Sequence, residues 1–162
     1  MKMTSSEANK LLRQYEDEKV MLSRQEAKIT SFHCAVGEKI EDCKTEYVFS
    51  EMQKRIEAVD RKIIKLKHAI NVFNTTTEVN GDLTIDQVLI RLPQLNTRKL
   101  VLDGMRKQLS KERYSINSGI IDYVYTAYDP AEANAEYEKV SKEISDLQLA
   151  LDRINTTKTF DF

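Results

Sequence analysis

The chain has 162 residues, of which 31% are charged and 7% aromatic, with four Gly, two Pro and no Trp. Few Gly and Pro leave little room for the many turns of an all-β fold, so long helices are favoured. The 25 basic and 26 acidic residues nearly cancel, which excludes a global positive field that would attract nucleic acid or anionic membranes.

The length is enough for a hydrophobic core that needs no disulfide or metal. Two cysteines are too few for a disulfide framework. The first residues turn polar at once, unlike a signal peptide, and no uncharged apolar run reaches the ~20 residues that span a bilayer. The sequence therefore predicts a cytoplasmic protein whose residues 1–162 form a single helical domain.

The first predicted helix runs from about Ser6 to Phe32, with an apolar stripe interrupted at Glu18 and Gln25. The stripe consists of Ala8, Leu11, Tyr15, Leu22, Ile29 and Phe32. A less regular stretch follows through Gly37 to Thr45. It predicts a connector rather than a long helix.

The second predicted helix has the most regular apolar pattern of the chain. Its apolar residues alternate spacings of three and four, as in a coiled-coil seam: Phe49, Met52, Ile56, Val59, Ile63, Leu66, Ile70 and Phe73. Ser50 to Gln53 fits a capping box at its start, although the helix could also begin earlier, near Thr45. It should end at Asn74–Thr77, since Asn tolerates the left-handed conformation that closes helices and threonine favours extended chain.

The third predicted helix follows a turn at Asn80-Gly81 and a second capping box, Thr84 to Gln87. Its stripe consists of Val88, Leu92, Leu95, Leu102 and Leu109, and would reach Ile116 in a longer helix. Pro93 lies inside this stripe and is expected to kink the helix or to split off a short first segment.

The last third of the chain combines a strand with a fourth helix. Residues 121–126 have strand composition, and Asp129-Pro130 with Glu132 predicts a helix start. The fourth stripe is again an unbroken heptad pattern: Ala133, Tyr137, Val140, Ile144, Leu147, Leu151 and Ile154. Residues 156–162 should form a short extended tail.

The second half of the chain repeats the first at a shift of 81 residues, which places the stripe from Met52 to Phe73 on that from Ala133 to Ile154. The first and third helices correspond more loosely, at a shift of 80. These matches predict a mainly all-α fold with repeats over about 5–80 and 85–162. Two pseudo-symmetric antiparallel helical hairpins would form a coiled-coil-like four-helix unit. The extended segments after Thr75 and Thr156 would pair with each other or with strand 121–126.

The residue patterns offer little enzymatic chemistry. Four glycines exclude a glycine-rich phosphate loop, and no nucleophile has a visible partner. His68 is expected to be solvated. We expect no catalytic residues, no cofactor and no small-molecule substrate. His33, Cys34 and Cys43 give a spacing that is weak for zinc and would need Glu41 or Asp42 as a further ligand, so we assign no metal and leave open whether this loop binds one.

Two further groups are candidate sites. Arg61, Lys62, Lys65 and Lys67 could contact phosphate backbones, although no aromatic residues are interleaved for base stacking, and a solvated charged face explains them equally well. An identical tripeptide ends the second and fourth helices, at Asn74-Thr75-Thr76 and Asn155-Thr156-Thr157. These residues could cap the helices or line a polar site between the repeats.

The sequence resembles the septicolysin-like proteins, small bacterial helical proteins of largely uncharacterised function. The resemblance rests on the helix from Ala8 to Ile29, on the segments 55–76 and 83–85, on Ser110–Ser115 with its Arg-Tyr-Ser, and on the ending 154–157. Pro93 departs from the family, whose members tend to carry a good helix former there. The family name suggests a cytolysin, but the resemblance implies no catalytic residues.

The sequence therefore predicts a non-enzymatic helical scaffold that forms homo-oligomers, because a four-helix unit with several apolar faces often buries the surplus against another copy. The alternatives are a nucleic-acid-binding arm and a membrane-active, cytolysin-like protein.

Overall fold

A computed structural model of the chain describes residues 1–115 and 121–162. The chain is mostly helical, which confirms the predicted class. In chain order the described elements are β1 (Lys2–Thr4), α1 (Ser5–Ile29), α2 (Ile40–Cys43), α3 (Phe49–Thr76), α4 (Ile85–Arg106), β2 (Lys111–Ser115), β3 (Ile121–Tyr125), α5 (Pro130–Thr157) and β4 (Thr159–Asp161).

The chain divides into two compact units, residues 1–73 with 155–162 and residues 74–154. The division falls near the C-terminal ends of α3 and α5, so these two helices each place their last residues in the other unit. The repeats over about 5–80 and 85–162 remain a prediction.

In the first unit α1 packs antiparallel on α3. Ala8 near the start of α1 lies in one apolar cluster with Leu66, whereas Leu22 near its end lies with Met52 and Val59. Each of the Leu, Met and Val side chains contributes about 1.5–3 kcal/mol when fully buried. The apolar seam therefore aligns the two helices along their length.

The ends of the chain meet in this unit. Strand β1 pairs antiparallel with β4, which places Met3 opposite Phe160. Met3 is buried, and Phe160 stacks on Phe73 of α3 with ring centroids 4.8 Å apart. The small sheet therefore closes one end of the α1–α3 core.

In the second unit α4 packs antiparallel on α5. The core consists of Val88, Leu95, Leu102, Val140, Ile144 and Leu147. An ion pair between Arg91 and Glu143, 3.0 Å long, and a hydrogen bond from Arg106 to Asn134 join the same two helices. Both units thus bury one apolar stripe from each helix.

The predicted strand pairing is wrong. The tail β4 pairs with β1, Glu78 forms an isolated bridge with Thr84, and the predicted strand, β3, pairs with β2 in register from Lys111 opposite Tyr125 to Ser115 opposite Ile121. A hairpin is favoured because β2 and β3 are close in sequence, so joining them costs little loop entropy. The segments after α3 and α5 each pair with the residues just before a helix: β4 pairs with β1, which precedes α1, and Glu78 pairs with Thr84, which precedes α4.

The predicted capping box at Thr84 is present, and a second capping box forms at Thr4. The Thr84 hydroxyl accepts from the Gln87 amide in the predicted box, and Thr4 and Glu7 form the same arrangement before α1. The predicted Ser50 box is wrong, because α3 begins at Phe49 and the side-chain amide of Gln53 donates to the Glu26 carboxylate instead of reaching back to the Ser50 backbone.

The predicted start of α5 is confirmed. The helix begins at Pro130, and the Asp129 carboxylate accepts from the Ala131 amide at 2.9 Å. Pro is tolerated there because the first amide of a helix has no intrahelical acceptor.

Two predicted helix ends need correction. Helix α1 ends at Ile29, and Phe32 lies beyond it. Helix α4 ends at Arg106 and the chain turns toward β2, so Leu109 is exposed and outside the stripe. Ile116 lies outside the described residues.

Neither Asn74 nor Asn155 takes the predicted left-handed conformation, since the described residues have positive φ at Gly37 and Gly81 alone. Both asparagines remain within helix, which continues for two more residues to Thr76 and Thr157. The predicted turn at Asn80-Gly81 is present, and the Asn80 side chain accepts from the Leu83 amide at 3.2 Å.

Pro93 does not split α4, which is continuous from Ile85 to Arg106. Pro93 and Leu89 are both exposed, so solvent can reach the Leu89 carbonyl that loses its helical donor. The Thr97 hydroxyl donates to the Pro93 carbonyl at 3.0 Å.

Burial recurs at the spacing of the sequence repeat. In α3 the buried residues are seven apart, and so are their counterparts in α5 at a shift of 81: Met52, Val59, Leu66 and Phe73, then Ala133, Val140, Leu147 and Ile154. The intervening stripe positions are half-buried, apart from buried Ile144. Exposed Phe49 lies outside the buried part of its stripe.

Candidate functional site

Helix α4 exposes a second apolar stripe, on the side away from its core. The core positions Val88, Leu95 and Leu102 lie on one side of the helix, and at 3.6 residues per turn the exposed residues fall largely on the other. Leu89, Ile90, Leu100 and Val101 are 48%, 57%, 75% and 50% exposed. We call this surface the α4 outer face and define it by Leu89, Ile90, Pro93, Gln94, Asn96, Thr97, Leu100 and Val101.

The α4 outer face carries no charged residue between Leu89 and Val101, and Asp86 lies on the same side of the helix one turn before it. Its polar side chains include Asn96 and Thr97, which donate hydrogen bonds to the backbone carbonyls one turn earlier. The residues of α1 at a shift of 80 are mostly polar or charged: Asn9, Lys10, Arg13, Gln14, Glu16, Asp17, Val20 and Met21. The two helices therefore share a core pattern but present different surfaces to solvent.

A hollow of about 230 Å³ adjoins the α4 outer face, lined by Asn96, Lys99, Leu100, Asp103 and Tyr137. Its charged groups have partners nearby. The Arg106 guanidinium lies 3.9 Å from the centroid of the Tyr137 ring. Hydrogen bonds from Lys107 and then Arg106 lower the pKa of Asp103. Beside Tyr137, the α4 outer face is therefore bordered by charged residues that pair with one another: Asp103 with Arg106 and Lys107.

The four predicted nucleic-acid contacts all have neighbours within the first unit. Arg61 pairs with Glu57 at 2.6 Å, Lys67 pairs with Glu16 at 2.8 Å, and Lys62 lies 3.9 Å from Glu18. Lys65 lies over the ring of Phe162, 5.2 Å from its centroid. Three of these cations therefore have a carboxylate beside them, which weakens the local positive field. His68 is exposed, as predicted.

The predicted polar site at the helix ends involves residues of both units. Asn74 and Asn155 are half-buried, and the four threonines that follow them are exposed. Each tripeptide lies in the last turn of its helix. A site between the repeats remains a prediction.

The connector between α1 and α3 brings Cys34 and Cys43 together with a carboxylate. The sulfurs and a Glu38 oxygen all lie within 4.8 Å of one another. The Cys43 thiol donates to Glu38 Oε2 at 3.4 Å, and the Ala35 amide donates to the same oxygen at 2.9 Å. The Ala35 amide and then the Cys43 thiol lower the pKa of Glu38. Cys34, burial and Glu38 raise the pKa of the Cys43 thiol.

Within the described parts of the chain, the three-residue group leaves out His33, Glu41 and Asp42, which the sequence had suggested as ligands. Glu38 was missed because a carboxylate four residues from a cysteine carries no special signal. The α4 outer face was missed because one apolar stripe already explained the helix. The adjacent pairs Leu89-Ile90 and Leu100-Val101 are the signal that could have revealed it.

Comparison with known proteins finds one family of unknown function and one solved structure with a similar fold. Residues 37–160 match the family of unknown function DUF6847. A functionally unknown conserved protein from Corynebacterium diphtheriae has a similar crystal structure, with a TM-score of 0.59 and 17% sequence identity, over 99% of this chain and 100% of the other. No curated protein matches the sequence. None of the described helices is both long and apolar enough to cross a membrane.

Proposed function

Because the chain belongs to DUF6847, a family without an assigned function, we propose from its own geometry that it is a non-enzymatic scaffold that forms homo-oligomers through the α4 outer face. The observation that carries this proposal is an exposed, uncharged and largely apolar stripe on a helix whose opposite side already fills the core. A second copy of the same chain would cover it.

The chemistry of the face favours another copy over a charged ligand. Aliphatic side chains and self-bonded Asn and Thr offer little to an anion or a cation, but they can pack against an identical surface without burying a charge. A twofold contact is self-complementary, so one patch supplies both halves of the interface. Aliphatic burial there stabilises the pair at about 25 cal/mol per Å² before the cost of association.

A matched pair of double variants tests the proposal. Leu100→Glu with Val101→Glu places two carboxylates on the α4 outer face. Val20→Glu with Met21→Glu makes the same change on α1, at the positions 80 residues earlier, where exposure is similar at 48% and 61%. Light scattering coupled to size-exclusion chromatography at micromolar concentration gives the mass of each species.

We expect an oligomer for the wild type and for the α1 variant. The α4 variant should dissociate at least about 100-fold more readily, because buried unpaired carboxylates at an interface cost several kcal/mol. A monomeric wild type would end the proposal, and equal dissociation of both variants would place the contact elsewhere. Circular dichroism checks that each variant remains helical.

We also propose that the two helix pairs are pseudo-symmetric repeats that form a coiled-coil-like four-helix unit. Its support is the recurrence of buried residues at a shift of 81 in α3 and α5. The capping boxes at Thr4 and Thr84 recur at a shift of 80. The bridge between Glu78 and Thr84 likewise matches the pair Thr159 and Thr4.

A nucleic-acid-binding arm remains an alternative proposal, and its support is the four cations from Arg61 to Lys67. Replacing all four by Glu should abolish salt-dependent RNA retention if the proposal holds. Because Glu57, Glu16 and Glu18 already lie beside three of them, we favour self-association. Absence of RNA binding by the wild type at low salt would exclude the arm.

A membrane-active protein is the other alternative, and it rests on the septicolysin-like resemblance, which we retain as a proposal of kinship. Dye release from liposomes tests membrane activity directly, and intact liposomes at micromolar protein would exclude it.

A further inference from the structure

The α1–α3 connector gathers two thiols and a carboxylate around one point. From this geometry we propose that Cys34, Glu38 and Cys43 bind a thiophilic divalent cation of the Zn²⁺ class. The three ligand atoms come from a stretch of ten residues that lies apart from the α4 outer face in sequence and belongs to the other unit. The site therefore stands independently of the proposed self-association.

Local backbone geometry holds the three groups together. Gly37 has a φ of +98°, which is readily adopted by glycine and reverses the chain between Cys34 and Glu38. The Glu38 amide donates to the Ala35 carbonyl at 3.1 Å. The single turn of α2 then carries Cys43 back toward the two groups.

The spacing of the ligand atoms suits a small ion. In a tetrahedral zinc site with bonds of about 2.0–2.3 Å, ligand atoms lie roughly 3.3–3.8 Å apart. Cys43 Sγ is 3.4 Å from Glu38 Oε2, and no pair in the group exceeds 4.8 Å. Contraction by about 1–1.5 Å at most, within an exposed loop, would complete the geometry.

The donor set selects the kind of ion. Thiolates favour Zn²⁺ and other soft or borderline metals over Mg²⁺ and Ca²⁺, which prefer oxygen ligands. Two sulfurs and one carboxylate leave one position of a tetrahedral ion for water. On binding, the two thiols release their protons to solvent, so the bound sulfurs are thiolates.

Cobalt and zinc titrations test the proposal on the full-length, reduced protein. Co²⁺ bound to thiolates gives an intense near-ultraviolet charge-transfer band and visible bands of a tetrahedral ion, and both should disappear on adding Zn²⁺. Native mass spectrometry should show one Zn²⁺ per chain. Mg²⁺ should neither bind tightly nor displace Co²⁺.

Single variants identify the ligands. Cys34→Ser and Cys43→Ser should each weaken Co²⁺ binding at least about 100-fold, and Glu38→Gln about tenfold or more, by analogy with the loss of supporting groups at known sites. The matched controls Glu41→Gln, Asp42→Asn and His33→Asn alter neighbouring residues outside the group and should bind as tightly as the wild type.

The outcomes separate the proposal from nonspecific binding. A weak wild-type signal without a thiolate band, or equal affinity for the Cys43→Ser variant, would overturn it. Loss of binding in the His33 or Asp42 control with retention in Glu38→Gln would overturn the assigned ligand set. Unchanged circular dichroism of the variants shows that a lost signal is due to a lost ligand.

Discussion

Tyr47 is hydrogen-bonded to a carboxylate at the junction of the connector and the helices. Its hydroxyl donates to Glu26 at 2.6 Å, and the Gln53 amide donates to the same oxygen at 2.7 Å. The hydrogen bond to Glu26, then burial and the charge of Glu26, raise the pKa of Tyr47 above its usual value. The connector is thereby tied to both α1 and α3.

This hydrogen bond predicts a dependence of stability on alkaline pH. Because the folded-state pKa is raised, the contribution is fully present below pH 10.0, the ordinary value, and is lost as pH rises through the folded value. Urea unfolding measured across this range should show the loss for the wild type and much less of it for Tyr47→Phe. Parallel pH profiles for the two proteins would contradict the assignment. Tyr114→Phe, a change at an exposed tyrosine, is the matched control.

At the scale of elements, sequence signals that depend on local contacts were the most reliable. The Thr84 box, the Asn80-Gly81 turn and the Asp129-Pro130 start each involve residues within a few positions, and each is present. The Ser50 box failed because Gln53 bonds to Glu26 of another helix. A contact 27 residues away cannot be read from a four-residue motif.

Pro93 yields a prediction for α4. In a helix interior proline costs about 3 kcal/mol relative to alanine, and part of this is offset because proline also restricts the unfolded chain. We expect Pro93→Ala to raise the free energy of unfolding by about 1–3 kcal/mol. Urea unfolding in the Leu100→Glu, Val101→Glu background removes any contribution of the proposed interface.

Gln94→Ala, at the neighbouring exposed position, is the control and should change stability by less than about 0.5 kcal/mol. A destabilised Pro93→Ala protein would show that the proline is favoured by packing that outweighs its helix penalty.

At the scale of the whole molecule, the two ends of the chain complete one core. Phe160 of β4 contacts Phe73 and lies opposite Met3 of β1. The N-terminal ammonium also donates to the Phe162 carbonyl at 2.7 Å. The first unit thus depends on residues that are as far apart in sequence as the chain allows.

We therefore predict that Phe160→Ala lowers the free energy of unfolding by about 2 kcal/mol, since the half-buried ring leaves a gap beside Phe73. Phe49→Ala removes the same ring at a site that is 65% exposed and should cost far less. Urea unfolding monitored by circular dichroism compares them. Equal losses for the two variants would show that the β1–β4 closure contributes little.

The sequence by itself determined the four long helices and most of the buried side of each, because helical periodicity and caps are local properties. The recurrence of burial in α3 and α5 follows from the heptads that the sequence displays. Only the tertiary structure decided that β4 pairs with β1 and that Glu38 joins Cys34 and Cys43. It also decided that α4 keeps a second apolar stripe exposed. These features depend on which segments meet in space, and residue spacing along the chain does not specify that.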